Sequence, residues 1–191
     1  MFNVCHVYTC WRLVKKSIWL CMFISLIQAK IFAMPTSVGE NEVKAVFLFN
    51  FSLFTTWPNT AFSTRASSFN LCVLDNDDFK EQLQIAVEGE HVDERNLRIS
   101  NITNYQHTKN CHILFVSRSQ EYQLDAILTH IKSSPVLTVS DIEDFVSRGG
   151  MIEFYLLQNR VRFMIDPATI EEAGLKISSR LLNIAKIVSK K

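Results

Sequence analysis

Apolar residues recur along the chain in two rhythms, one helical and one extended, and their alternation lays out a succession of helices and strands. From Glu42 to Trp57, the residues Val43, Val46, Phe47, Phe51 and Phe54 fall at helical spacing. Leu48, Phe49 and Leu53 carry apolar character onto other faces, so this helix is expected to be central or shared with a partner. Trp57-Pro58 ends it, because the residue before a proline avoids the helical region. Phe69 to Asp75 is a nearly continuous apolar run and reads as a strand, followed by a helix from Asp77 to Val87 that Asp77 can cap and Gly89 breaks. Asn96 to Ile102 alternates as a strand does, and Cys111 to Ser117 reads as a buried strand. Ser119 to Ile131 is a helix by the spacing of Leu124, Ile127, Leu128 and Ile131. A short strand from Pro135 to Val139 and a short helix from Asp141 to Val146 follow, stopped by Gly149-Gly150. Met151 to Leu157 and Arg160 to Ile165 are strands joined at Gln158-Asn159 as a hairpin. Pro167 opens a helical C-terminus in which Leu181, Ile184, Ala185 and Val188 form one stripe.

Strands alternating with helices predict an α/β fold: a single layered domain over residues 40–190, built on a mixed, mostly parallel sheet flanked by helices. The antiparallel pair is the hairpin near the C-terminus, and the apolar runs Leu71–Leu74 and Ile113–Val116 should lie centrally in the sheet. No stretch has the composition of a linker to a second domain.

The first 33 residues break this pattern. Lys15-Lys16 precede the apolar run Ser17 to Ala29, which is shorter than the roughly 20 residues that span a bilayer. Ala33 offers a small residue before Met34-Pro35, so residues 1–33 are expected to be a secretory signal peptide; an uncleaved anchor is the alternative. Either way the domain is delivered across a membrane. The leader holds four of the 20 basic residues and none of the 19 acidic ones, which leaves the rest with a net charge of −3 and no electrostatic footprint for nucleic acid.

Of five cysteines, Cys5, Cys10 and Cys21 lie in the leader, and Cys72 and Cys111 remain. Two cysteines in an oxidising compartment are a natural pair, and neighbouring strands would let their sulfurs meet; two buried free thiols are the alternative.

Catalytic signatures are missing: no nucleophile elbow, phosphate loop, dinucleotide-binding glycine pattern or zinc-protease helix occurs in the sequence. His107 and Cys111-His112 raise a metal question, but no second ligand pair stands near them, and neither a metal nor a cofactor is expected. Arg160 and Arg162 alternate onto one face of their strand. They are candidates for binding a carboxylate or phosphate, or for pairing with Glu153 across the hairpin, and the pairing is the favoured expectation. Phe47, Phe49, Leu53 and Phe54 on the first helix are the candidate interface, with core packing as the competing role.

Read together, these segments resemble the YfiR/HmsC-like periplasmic family. The resemblance runs from about Glu40 to Val188. It is carried by Val43 to Phe51 with Trp57-Pro58, by the two cysteine strands Leu71 to Leu74 and Cys111 to Ser117, and by Val136 to Asp141. Phe145, Gly149-Gly150-Met151-Ile152, Arg160 to Phe163 and Ala173 to Ser179 complete it. It departs at Asp166, where the family favours Asn, and at Met164, where an acidic residue is common. The resemblance implies a periplasmic, non-catalytic regulator that binds the periplasmic part of a membrane-bound diguanylate cyclase and so lowers cyclic di-GMP and biofilm formation. It further implies a homodimer and a Cys72–Cys111 bridge. The alternative is a periplasmic module that binds a small ligand, as a solute receptor does, although such receptors usually close two lobes around a cleft.

Overall fold

The computed structural model describes residues 39–188, and the expected leader lies outside the described residues. Its centre is an eight-stranded sheet in the order β10-β8-β7-β6-β5-β2-β4-β3. The strands are β2 (Phe69–Leu74), β3 (His91–Val92), β4 (Arg95–Ile102), β5 (Ile113–Val116), β6 (Leu137–Ser140), β7 (Ile152–Leu157), β8 (Arg160–Ile165) and β10 (Lys186–Ile187). β4, β2, β5, β6 and β7 run parallel, and β7 and β8 form the antiparallel hairpin. A separate two-stranded piece joins β1 (Thr55–Thr56) to β9 (Lys176–Ile177). The mixed, mostly parallel α/β sheet read from the sequence is therefore the one observed.

Because side chains alternate across a strand, each central strand feeds two cores. Leu71, Val73, Ile113, Phe115, Leu137, Val139, Ile152 and Phe154 face helices α1 (Glu40–Phe54) and α2 (Asp77–Ala86), meeting Ala45, Leu48 and Phe51 from the first and Phe79 and Leu83 from the second. On the opposite face Cys72, Leu74, Leu114 and Val116 pack against Leu124, Ile127 and Ile131 of α3 (Leu124–Ile131), with Ile142 and Phe145 beside them. The strands β2, β5 and β6 are buried on both faces, as helices on both sides of a parallel sheet require.

Several element boundaries differ from the sequence reading. α1 stops at Phe54, where the backbone turns extended at Thr55 to pair with Ile177, so Trp57 lies beyond the helix. The cap of α2 is Asn76, whose Oδ1 accepts the Phe79 N–H at 3.0 Å, and Asp77 is the first helical residue. Residues 118–123 form a 3₁₀ turn ahead of α3 instead of extending it. Asp141 to Val146 is a series of turns, not a helix: Asp144 has φ +60, Ser140 Oγ accepts the Ile142 N–H, and the Glu153 carboxylate accepts the Val146 N–H.

The C-terminal stretch is also not one helix. α4 (Pro167–Glu172) is capped by the fully buried Asp166, which accepts from the N–H groups of Ala168 and Thr169 and from the Thr169 hydroxyl. Gly174, at φ +76, ends that turn. α5 (Ser179–Leu182) is a single turn, after which β10 lies along Met164 and Ile165. Leu181 is buried while Ile184 is 63% exposed, so the expected apolar stripe is divided. Among the described residues no helix is long and apolar enough to cross a membrane.

Candidate functional site

Cys72 and Cys111 form a disulfide, with Cα atoms 5.8 Å apart. Cys72 is in β2 and Cys111 lies two residues ahead of β5, the neighbouring strand, so the pairing of β2 with β5 brings the two cysteines within bridging distance.

The residue after the bridge, His112, organises the surrounding loop. Its Nδ1 accepts the Asn70 N–H at 2.9 Å and its Nε2 donates to the Ala61 carbonyl at 3.1 Å, which fixes a neutral imidazole. Burial holds its pKa below the usual histidine value; the nearby Arg95 charge acts in the same direction. The ring is stacked between Phe62 and Phe69, with centroids at 4.5 and 4.8 Å. Phe62 carries the Arg95 guanidinium on its ring at 3.8 Å. Arg95 Nη1 in turn donates to the carbonyls of Thr64, Arg65 and Ser67. The column Arg95–Phe62–His112–Phe69 thus pins the whole 60–68 loop beside the disulfide. The sequence marked His112 only as a metal question; its two ring nitrogens are both committed to backbone groups.

At the opposite, C-terminal edge of the parallel strands, open α/β sheets commonly place their ligands. Here that edge is closed by the chain's own bonds. Ser117 Oγ donates to the Leu74 carbonyl, Ser140 Oγ to the Val116 carbonyl, and Gln120 Nε2 to the Asp75 carboxylate. Lys44, 5% exposed on α1, places Nζ 2.7 Å from Asp141 and 2.6 Å from Glu40. This partly buried ion pair locks α1 to the end of β6, and nothing in the helical spacing of α1 announces it, since its partner lies 97 residues away.

The candidate polar residues separate. The hairpin register sets Arg162 opposite Tyr155 and Arg160 opposite Leu157, while Glu153 faces Met164. Glu153 is buried and accepts the Val146 N–H at 3.1 Å, so the expected cross-hairpin pairing with the arginines is not formed. Burial raises the Glu153 pKa above the usual carboxylate value, and the hydrogen bond from Val146 only partly offsets this. Arg160 and Arg162 are exposed and make no ion pair among the described residues. Lys186 lies on the same face, its Nζ 5.9 Å from the Tyr155 ring centroid.

The four candidate interface residues also divide. Phe47 packs on Phe163 at 5.1 Å and on Phe154 at 6.1 Å, and is half-buried against the core. Phe49 and Phe54 are half-buried against the same core. Leu53 is 48% exposed and, with Val46 at 51%, leaves an apolar stripe on the outer side of α1. Val46 and Leu53 are seven residues apart, two turns of one helical face.

The YfiR/HmsC-like family model matches residues 41–186. Among solved structures, a conserved domain protein from Vibrio cholerae O1 biovar El Tor strain N16961 is similar in fold, with a TM-score of 0.55 at 11% sequence identity. The match covers 79% of this chain, which spans 60% of the length of that protein. No curated protein matches the sequence.

Proposed function

The chain belongs to the YfiR/HmsC-like family, and from that premise we propose that it is a periplasmic, non-catalytic regulator that represses a membrane-bound diguanylate cyclase. It does so by binding the periplasmic part of the enzyme, lowering cyclic di-GMP and biofilm formation. The observation that carries this reading is the family match across 41–186, which takes in both cysteine strands and α1. Two structural features support it. The Cys72–Cys111 bridge suits a compartment where thiols oxidise. The outer face of α1, with Val46 and Leu53 half-exposed on a helix otherwise committed to the core, offers a surface for a second copy or for the cyclase.

Repression in this scheme is differential binding: the regulator favours the inactive state of the cyclase and lets it go when its own affinity falls. Deletion and complementation with a cyclic di-GMP readout test it. Loss of the protein should raise the nucleotide level, and re-expression should restore it. An unchanged level on deletion would overturn the reading.

A further inference from the structure

We propose that the cleft at the N-terminal edge of the sheet, beside the disulfide, binds a small anion: a phosphate- or carboxylate-bearing molecule held by Arg98 and Lys109. This goes beyond repression and requires no cyclase.

The cleft has a volume of about 690 Å³, within the range of small-molecule sites. Its lining includes Arg98 and Lys109, five hydroxyl side chains and two asparagines, but no carboxylate. That is notable in a chain whose acidic residues outnumber its basic ones once the leader is set aside. Arg98 and Lys109 make no ion pair among the described residues, so neither charge is already neutralised by the protein. A concave surface of one sign with low-dielectric walls concentrates ions of the other sign.

Both rims are fixed before any ligand arrives. Arg98 stands on β4 directly beside Asn70 of β2. Asn70 Nδ2 donates to the Asn110 carbonyl at 2.9 Å, and the Cys72–Cys111 bridge ties the following residue to the same strand. Lys109 is therefore held on the rim facing the Arg98 strand. The other rim, residues 62–68, is held by the three carbonyl bonds of Arg95, and His112 joins the two sides through Ala61 and Asn70. A site organised in advance spends little of its binding energy on ordering itself. An anion in it can take charge-assisted hydrogen bonds from the guanidinium and the ammonium together.

The test is an amide NMR titration of the purified, oxidised protein with inorganic phosphate and, separately, citrate, at constant ionic strength set by sodium chloride. Saturable shifts at Asn70, Asn110, Cys111 and Ser134 are expected from one or both anions; phosphate alone identifies a phosphate group and citrate alone a carboxylate. Arg98→Gln/Lys109→Gln should weaken binding at least tenfold. The control Arg160→Gln/Arg162→Gln should leave it unchanged. Should the double variant not fold, Lys109→Gln alone, at an exposed position, should weaken binding at least threefold. Shifts that do not saturate, or that persist in the Arg98 and Lys109 variants, would overturn the proposal.

Discussion

The backbone N–H of Asn70 points at Nδ1 of His112, 2.9 Å away, and a proton on that nitrogen would remove its acceptor. The native state therefore resists protonating His112, whose pKa is lowered from 6.5 chiefly by burial. The unfolded chain takes up that proton as pH falls through about 6.5, so the stability contributed by the neutral ring is present above that value and lost on acidification toward the lower native pKa. Urea midpoints should fall from pH 7 to pH 5 in the wild type. His112→Asn, which retains an acceptor near the same place, should be less stable throughout but show a shallower fall; an equal slope in the variant would contradict the neutral-ring assignment.

Glu153 carries the opposite sign. Its raised pKa means that its contribution is present below about 4.5, the ordinary value, and is lost as pH rises through the native one. Glu153→Gln retains an oxygen for the Val146 N–H and abolishes the buried charge. The variant should be more stable than wild type at pH 7 and lose that advantage at pH 4, as followed by thermal midpoints.

Removing the bridge tests how much it constrains the unfolded chain. Cys72 and Cys111 are 39 positions apart, and chain-entropy arguments give about 4 kcal/mol for a loop of roughly 40 residues. Cys72→Ala/Cys111→Ala should lower the urea midpoint accordingly. The same variant should weaken anion binding at the cleft, because the Lys109 rim loses its tether.

The two sides of α1 should respond differently to substitution. Phe47→Ala opens a hole among Phe51, Phe154 and Phe163 and should cost about 3 kcal/mol. Leu53→Glu sits on the outer stripe and should leave the thermal midpoint within a few degrees while reducing self-association in sedimentation experiments. Unfolding of Leu53→Glu would place that residue in the core instead.

Gly150 is held by its neighbour. A Cβ built there would lie 2.1 Å from the ring of Phe145, which is fully buried. Gly150→Ala should therefore destabilise by about 1–3 kcal/mol, the usual penalty for overpacking, and Gly150→Ala/Phe145→Leu should recover part of the loss.

What the sequence disclosed follows from range. The apolar runs at Leu71–Leu74 and Ile113–Val116 announced buried parallel strands, and the cysteine in or beside each announced their bridge, because both signals are local once strand adjacency is granted. Asp141 to Val146 misled, since its apolar spacing is helical but the Glu153 carboxylate captures the Val146 N–H and Asp144 turns left-handed. The Glu153–arginine pairing failed on register: Met164, not Arg162, stands opposite Glu153. The Arg98–Lys109 cleft was invisible because its parts come from β4, a 3₁₀ turn and the 60–68 loop, assembled only by the parallel pairing of β2 with β4 and by the disulfide. The Lys44–Asp141 pair escaped for the same reason, joining residues nearly a hundred positions apart.

The chain has three tryptophans, and two of them, Trp11 and Trp19, fall in the first 33 residues. A secreted form cut after Ala33 would retain Trp57 alone. That indole is 8% exposed, lies edge-on to Phe69 at 4.8 Å and donates from Nε1 to the His112 carbonyl at 3.2 Å. A single native fluorophore is thus wired to the residue adjoining Cys111, and its emission colour and quenching should read out events at that end of β5 without any attached dye.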